Sequence, residues 1–143
     1  MTQILYVCVH NAGRSQMAEA LTNHLAARRG LAVRAESAGT VAGERINPAA
    51  AEAMAEIGVS MEGHAPKQIT QEMAARAARI ITMGCGVDAA ACPARFLVTE
   101  DWGLDDPAGR PTTEVRAIRD EIARRVAAML DELEHATSQE SRP

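Results

Sequence analysis

The chain has very few aromatic residues: one Trp, one Tyr and one Phe among 143 residues. It contains no apolar run long enough to cross a membrane, and its first residues do not show the charged segment and apolar core of a signal peptide. The formal net charge of −4 argues against a nucleic-acid partner, because such partners require basic surfaces. We therefore expect a cytoplasmic protein without a membrane or nucleic-acid partner.

Cysteine is also scarce, since the chain contains only Cys8, Cys85 and Cys92. Three cysteines do not make the disulfide framework of a small secreted domain, and in a cytoplasmic chain they indicate metal or redox chemistry. A length of 143 residues predicts one domain with a single core. We predict that this domain covers residues 1–135 and that the polar residues 136–143 form a disordered tail.

The most informative stretch follows an apolar run, Ile4 to Val7, which predicts a buried strand. Cys8 comes next, then five residues, then Arg14 and Ser15, and then apolar residues at helical spacing. A turn between a strand and a helix directs backbone N–H groups and the positive end of the helix dipole at one point. This arrangement suits a tetrahedral oxyanion, so residues 9–15 form the predicted anion-binding loop: Val9, His10, Asn11, Ala12, Gly13, Arg14 and Ser15.

Within this loop, Arg14 can grip an oxyanion with its planar fork of donors. The positive surroundings favour Cys8 as a thiolate, the reactive form of the side chain, and Ser15 can donate a hydrogen bond to it. The simpler interpretation is an ordinary buried thiol beside a surface arginine. The spacing between a strand and a helix is specific enough to favour a nucleophile with an anion site.

The remaining elements alternate between strands and helices, which predicts an α/β fold with an open four-stranded parallel sheet and helices on both faces. Cys8, Cys85 and Asp106 each follow a predicted strand, at the sheet edge where such folds build their sites. The predicted strands end at residues 8, 37, 83 and 98, and the predicted helices cover residues 14–29, 49–57, 71–78 and the segment from 113 onward.

Asp106 and the pair Cys85 and Cys92 are the other candidate reactive groups. Asp106 precedes Pro107 in a loop, where it can protonate an oxygen expelled by the thiolate, although an Asp-Pro step alone also suits a plain turn. A zinc site at Cys85 and Cys92 lacks nearby His or Cys residues to complete four ligands. Two inert buried thiols are the other simple interpretation.

Together these motifs resemble the low-molecular-weight tyrosine phosphatase superfamily, which includes the thioredoxin-coupled arsenate reductases. The resemblance runs from Ile4 to the final helix and includes the anion loop, Ser37-Ala-Gly39 and the segment Trp102–Gly109. It implies that Asp106 is the general acid. The six-residue spacing of Cys85 and Cys92 resembles the redox segment of the reductases, and the phosphatases lack this pair.

The resemblance implies that Cys8 attacks arsenate and that Cys85 then attacks Cys8, which releases arsenite. Cys92 would resolve the resulting disulfide, and thioredoxin would reduce Cys85–Cys92. Phosphate and sulfate should compete as anions, and we expect a monomer. The scarcity of aromatics, which would stack on a phosphotyrosine ring, favours arsenate. The alternatives are a phosphatase of small or tyrosine phosphate esters, a mycothiol-dependent reductase, or a non-catalytic oxyanion-binding or redox-sensing module.

Asn11, Glu19 and Ser37 match positions that support the anion loop in this reductase family. In some members they also bind potassium, together with an aspartate. Lys67 stands where that aspartate would be, so its ammonium group can pair with Glu19 in place of the cation. We therefore expect no bound metal or other cofactor.

Overall fold

The computed structural model describes residues 1–84 and 100–140. Its sheet has the order β2-β1-β3-β4, and every neighbouring pair is parallel. The elements are β1 (Thr2–Cys8), α1 (Arg14–Arg29), β2 (Val33–Gly39), α2 (Pro48–Glu56), α3 (Gln71–Arg76), β3 (Arg79–Thr82), β4 (Glu100–Asp101) and α4 (Thr112–Glu140). The predicted open, four-stranded parallel sheet is confirmed. No helix within the described ranges is long and apolar enough to span a membrane.

The central strand β1 is buried on both faces because its side chains alternate between two apolar clusters. Ile4 and Tyr6 belong to the larger cluster, which also contains residues of α1, α2 and α4. Leu5 and Val7 belong to the smaller cluster, which contains Met73 of α3. Helices therefore cover both faces of the sheet, as predicted, and β1 carries Cys8 at the end of a strand that is fixed from both sides.

The first helix has the predicted bounds, from Arg14 to Arg29. It ends at Gly30, whose φ of 66° is the left-handed conformation that glycine adopts without a side-chain clash. The Gly30 N–H donates to carbonyl groups of the last turn. These are local signals, which explains why the sequence predicts both ends of this helix correctly.

Other element bounds differ from the prediction: both ends of α2, the ends of α3 and β3 and the start of α4 by one or two residues, and three further bounds as follows. Strand β2 continues past Ser37 to Gly39, because its backbone pairs with β1 as far as Cys8. The predicted strand at residues 96–98 lies outside the described residues, and β4 consists of Glu100 and Asp101, which follow the predicted end of that strand. Helix α4 continues to Glu140, five residues beyond the predicted end of the ordered domain at residue 135; the 1–135 boundary itself stays a prediction.

The loop after β4 starts from a buried aromatic pair. Trp102 is 4% exposed, and its ring centroid lies 5.4 Å from that of Tyr6. The Tyr6 hydroxyl shares a 2.7 Å hydrogen bond with Thr22, and burial raises the pKa of Tyr6 above its ordinary value. This pair joins the start of residues 102–109, the segment that carries Asp106, to the core.

Glu56 connects the end of α2 to α4 through ion pairs, and this contact predicts how the stability of the fold depends on pH. Hydrogen bonds from Arg116 and Arg119 lower the pKa of Glu56 below its usual value. A carboxylate with a lowered pKa stabilises the fold above its unfolded pKa and loses that effect as the pH falls through its folded pKa. Glu56→Gln should therefore lower the melting temperature slightly at neutral pH and by less in acid. Thermal unfolding of this variant and of Glu44→Gln, an exposed control, across the acid range tests the difference.

Candidate active site

Cys8 lies where the sheet order reverses, at the carboxyl ends of the neighbouring strands β1 and β3. Open parallel sheets form a crevice at such a switch point. Here the crevice is a cleft of about 420 Å³. It is lined by Cys8, Val9, His10, Ala12, Gly13, Arg14, Arg45, Ile46, Asn47, Pro48, Asp106, Ala108 and Gly109. The cleft therefore brings together most of the predicted anion loop and the predicted acid, and it adds residues 45–48, which sequence reasoning missed.

Hydrogen bonds from the segment that follows β2 fix the orientation of the peptide groups in the anion loop. The carbonyl groups of Cys8, Val9, His10 and Ala12 accept hydrogen bonds of 2.8–3.1 Å from the N–H groups of Thr40, Val41, Gly43 and Asn47. In a trans peptide the N–H group points opposite to the carbonyl. The N–H groups of the loop are consequently directed away from residues 40–47, as Asn11 shows by donating to Cys8 Sγ at 3.2 Å. The orientation of the loop N–H groups is therefore set before any anion arrives.

This arrangement depends on a close approach at Gly39. A β-carbon at this position would lie 2.5 Å from the carbonyl oxygen of Val9 and 3.0 Å from the carbonyl carbon of His10. Both contacts are with backbone atoms, which cannot move aside like the end of a flexible side chain. Gly39 therefore lets β2 run directly against the anion loop.

Asn11 holds the strained point of the loop. Its φ of 54° makes it the only non-glycine residue with a positive φ in the described ranges, and asparagine tolerates this conformation better than most residues. Its Oδ1 accepts from the Lys67 backbone N–H at 2.8 Å, and its Nδ2 donates to Ser15 Oγ at 2.8 Å. The side chain therefore ties the loop to both the start of α1 and the segment that follows α2.

The Cys8 sulfur is buried and receives hydrogen bonds at the floor of the cleft. Its side chain is 3% exposed, and Sγ lies 2.8 Å from Ser15 Oγ in addition to the Asn11 N–H. Because Asn11 Nδ2 already donates to Ser15 Oγ, the single hydroxyl hydrogen of Ser15 is free to point at sulfur. Two donors on one sulfur suit a thiolate.

Arg14 connects the anion loop to the rest of the cleft. It is 6% exposed, and its Nη1 donates to the carbonyl groups of Leu104 at 2.8 Å and Met83 at 3.3 Å. Its Nη2 lies 3.7 Å from Asp106 Oδ2. With Nη1 anchored, the planar guanidinium is fixed in orientation, and its other edge faces Asp106 and the cleft.

Asp106 itself is at the cleft mouth, with a side chain that is 57% exposed. Its Oδ1 accepts from the Ala108 N–H at 3.0 Å, and its carbonyl oxygen accepts from Arg110 Nε at 2.8 Å. These contacts form a compact turn around Pro107. The turn holds Asp106 in the cleft beside Arg14.

The predicted supporting residues gather behind the loop around Glu19. Its Oε1 accepts from Ser37 Oγ and from Lys67 Nζ, each at 3.1 Å, and its Oε2 lies 3.2 Å from His64 Nδ1. The Lys67 ammonium takes the place beside Glu19 that a potassium ion would require, so these residues do not fit a bound cation. Within the described part of the chain, no cluster of three His, Cys, Asp or Glu side chains could hold a metal ion.

Cys85 and Cys92 lie outside the described residues; the last residue before them, Gly84, follows β3 and donates its N–H to Asp101 Oδ1 at 2.7 Å.

His10 lies in the cleft wall, and its Nδ1 contacts the Val41 carbonyl oxygen at 3.1 Å, a contact that supports packing rather than ligation. His64, which sequence reasoning did not single out, belongs to the network behind the loop.

The fold and the cleft define an α/β protein with a cysteine and an arginine at the switch point of a parallel sheet. The family model for low molecular weight phosphotyrosine protein phosphatase matches residues 3–139, and the chain belongs to this family. The predicted membership of the superfamily is therefore confirmed.

Individual relatives are similar over most of the chain. A protein of Halobacterium salinarum is 35% identical over 133 residues, which are 92% of this chain and 92% of that protein. An arsenate reductase of Staphylococcus aureus is 34% identical over 121 residues, covering 83% of this chain and 88% of the relative. Among solved structures, a thioredoxin-dependent arsenate reductase of Corynebacterium glutamicum is 33% identical with a TM-score of 0.75, over 95% of this chain and 63% of that one.

Proposed function

We propose that this protein is an arsenate reductase whose nucleophile is Cys8. The observation that carries the proposal is the sulfur environment: a buried Sγ that receives two hydrogen bonds at the floor of a cleft also lined by Arg14 and Asp106. The similarity to arsenate reductases at 33–34% identity supports the same substrate. Arsenate binds to the loop amides and to the free edge of Arg14, and phosphate and sulfate compete for the same donors.

The first step forms a bond between Cys8 Sγ and arsenic and breaks one As–O bond. The departing oxygen takes a proton from Asp106 and leaves as water, which lowers the cost of expelling it. The negative charge that collects on the remaining oxygens is stabilised by Arg14 and the loop N–H groups, which need no rearrangement because they are already held in place.

The second stage transfers two electrons to arsenic. The Cys85 thiolate attacks Cys8 Sγ, the S–As electron pair stays with arsenic, and arsenite departs while a Cys8–Cys85 disulfide forms. Cys92 then attacks Cys85 and regenerates Cys8, and thioredoxin reduces the Cys85–Cys92 disulfide by the same exchange chemistry. Gly84, which directly precedes Cys85, follows β3, the strand adjacent to β1 and Cys8.

The test is an arsenite assay with purified protein and two alternative reductants. We expect continuous arsenite formation with thioredoxin, thioredoxin reductase and NADPH, and little with mycothiol and its coupled enzymes. Cys92→Ser should release one arsenite per protein and stop with a Cys8–Cys85 disulfide. Turnover that requires mycothiol would instead support the mycothiol-dependent alternative, and no arsenite with either reductant would contradict the reductase proposal.

A phosphatase side activity is the second candidate function, favoured by the family and by the three groups Cys8, Arg14 and Asp106, which suffice for phosphate ester hydrolysis. None of the described residues that line the cleft is Phe, Tyr or Trp, and its apolar lining includes Ile46 and Pro48. Small phosphate esters therefore suit the cleft better than phosphotyrosine. This activity should survive Cys85→Ser and Cys92→Ser, since neither cysteine is needed for it.

The ion pair of Lys67 with Glu19 predicts how the protein responds to potassium. Because the ammonium group already neutralises Glu19, adding potassium in place of sodium should change neither the melting temperature nor the rate by much. Lys67→Asp removes that charge and adds a carboxylate beside Glu19, so the variant should be less stable and should regain stability with potassium. Thermal unfolding in matched potassium and sodium buffers, with Lys67→Met as the neutral control, measures this. A large potassium-induced shift in the unsubstituted protein would contradict it.

A further inference from the structure

Gln16 is a buried polar side chain that the proposed mechanism does not use. It is 0% exposed, and its amide makes three hydrogen bonds behind the anion loop. Its Nε2 lies 2.8 Å from Asn11 Oδ1 and 3.0 Å from the Ala65 carbonyl oxygen, and its Oε1 lies 2.9 Å from His64 Nδ1. Because each of these contacts pairs a hydrogen-bond donor with an acceptor, the buried amide has a defined orientation.

The orientation follows from groups that can act in one way only. The Lys67 backbone N–H must donate, so the Asn11 atom 2.8 Å away is its oxygen, and Asn11 Nδ2 faces Ser15. The Ala65 carbonyl must accept, so Gln16 presents its NH₂ group to that carbonyl and to Asn11 Oδ1. Gln16 Oε1 then faces His64, whose Nδ1 carries a hydrogen that Glu19 Oε2 also approaches at 3.2 Å.

The result is a chain of hydrogen bonds with a single direction. His64 donates to Gln16, Gln16 to Asn11, Asn11 to Ser15, and Ser15 to Cys8. If the Asn11 amide turned over, its oxygen would face Ser15, and the Ser15 hydrogen would go to Asn11 instead of to sulfur. Asn11 is kept from turning by the Lys67 N–H and by the Gln16 NH₂, which both require an oxygen at the same place.

We propose that Gln16 is a positioning residue that fixes the direction of this chain, so that Ser15 donates to Cys8 and holds the nucleophile as a thiolate. The inference rests on the proposed role of Cys8, but it concerns a residue that never reaches the anion. It predicts that Gln16 acts on the protonation of the sulfur through Ser15, and not on the binding of arsenate, which depends on Arg14 and the loop amides.

The experiment measures alkylation of Cys8 by iodoacetamide as a function of pH, with the modified residue located by peptide mass spectrometry. In Gln16→Met the midpoint of the profile should move upward by about one pH unit, the size expected for one hydrogen bond to a charged sulfur. Ser15→Ala should produce a similar shift, and the double variant should show little more than either single one, because both changes remove the same donor. At pH values below neutral, the kcat of Gln16→Met should be lower than that of the unsubstituted protein. Its KM for arsenate should change by less than about twofold.

Gln68→Met is the matched control, since Gln68 also bonds near the loop, to Thr40 and Ala42, but has no link to Ser15. Its profile should be unchanged. A folded Gln16→Met with an unmoved midpoint, or shifts that add fully in the double variant, would overturn the proposal. If Gln16→Met does not fold, His64→Leu should move the midpoint in the same direction by a smaller amount, and no movement there would also overturn it. If neither the unsubstituted protein nor any variant reduces arsenate but the alkylation shifts are observed, the reductase proposal is wrong and the positioning role of Gln16 is still supported.

Discussion

Replacing Cys8 with serine is expected to lower the rate of arsenate reduction by about 10⁴-fold or more, as for other enzymes that lose their nucleophile. A serine hydroxyl must lose a proton before it can attack. The groups described around Sγ, the Asn11 N–H and the Ser15 hydroxyl, are placed to donate rather than to accept. Initial rates with arsenate and thioredoxin measure the loss, and hydrolysis of a small phosphate ester should fall in parallel. A variant that keeps more than about a tenth of the rate would remove Cys8 from the mechanism.

The matching control is anion binding without chemistry. Cys8→Ser should still bind phosphate in a calorimetric titration, because the loop amides and Arg14 remain. Arg14→Lys should lose most of this binding, since an ammonium group cannot hold the Leu104 carbonyl and also present two parallel donors to an oxyanion. Equal binding by the two variants would show that Arg14 does not clamp the anion.

Replacing Gly39 with alanine is the second change with a large expected effect. The added β-carbon would meet the Val9 carbonyl oxygen at 2.5 Å, so either β2 or the anion loop must shift. Overpacking of this kind destabilises by about 1–3 kcal/mol, and more where backbone must move. A shift of the loop amides should also weaken phosphate binding and lower the reduction rate by at least about tenfold, because the donors must be held within a fraction of an ångström. Thermal unfolding and phosphate titration measure the two effects.

Gly43→Ala provides the control for this change. Gly43 also contacts the anion loop, but its added β-carbon would lie 3.5 Å from the His10 carbonyl oxygen, which is ordinary contact. The melting temperature and phosphate affinity of Gly43→Ala should stay close to those of the unsubstituted protein. Equal loss in both variants would mean that any side chain along this segment disturbs the loop, and that the approach at Gly39 is not special.

The sequence predicted those parts of the site whose signals are local. The apolar run before Cys8, the amphipathic spacing after Arg14 and the stop at Gly30 each depend on neighbouring residues, and the strand, the loop and α1 were placed correctly. The parallel sheet followed from the alternation of elements. These features are fixed by backbone preferences that a short window of sequence contains.

The missed parts depend on contacts between distant residues. The composition of Ser37-Ala-Gly39 is typical of a turn, but these residues belong to strand β2 because their backbone pairs with β1. Glu100 and Asp101 lack the apolar character of a strand and form β4 only because they pair with β3. Gln16 and His64 meet across 48 positions of sequence, and no periodicity predicts such a contact. The one available signal was chemical: a glutamine on the buried side of a helix requires partners.

Trp102 has a consequence for observing this protein in solution. It is the only tryptophan in the chain, it is buried against Tyr6, and the segment that it begins carries Asp106 four residues later. Indole emission responds to the polarity of its surroundings, so the natural fluorescence of the protein comes from one site beside the acid loop. A change that loosens residues 102–109 from the core can therefore be followed optically and in real time without a label.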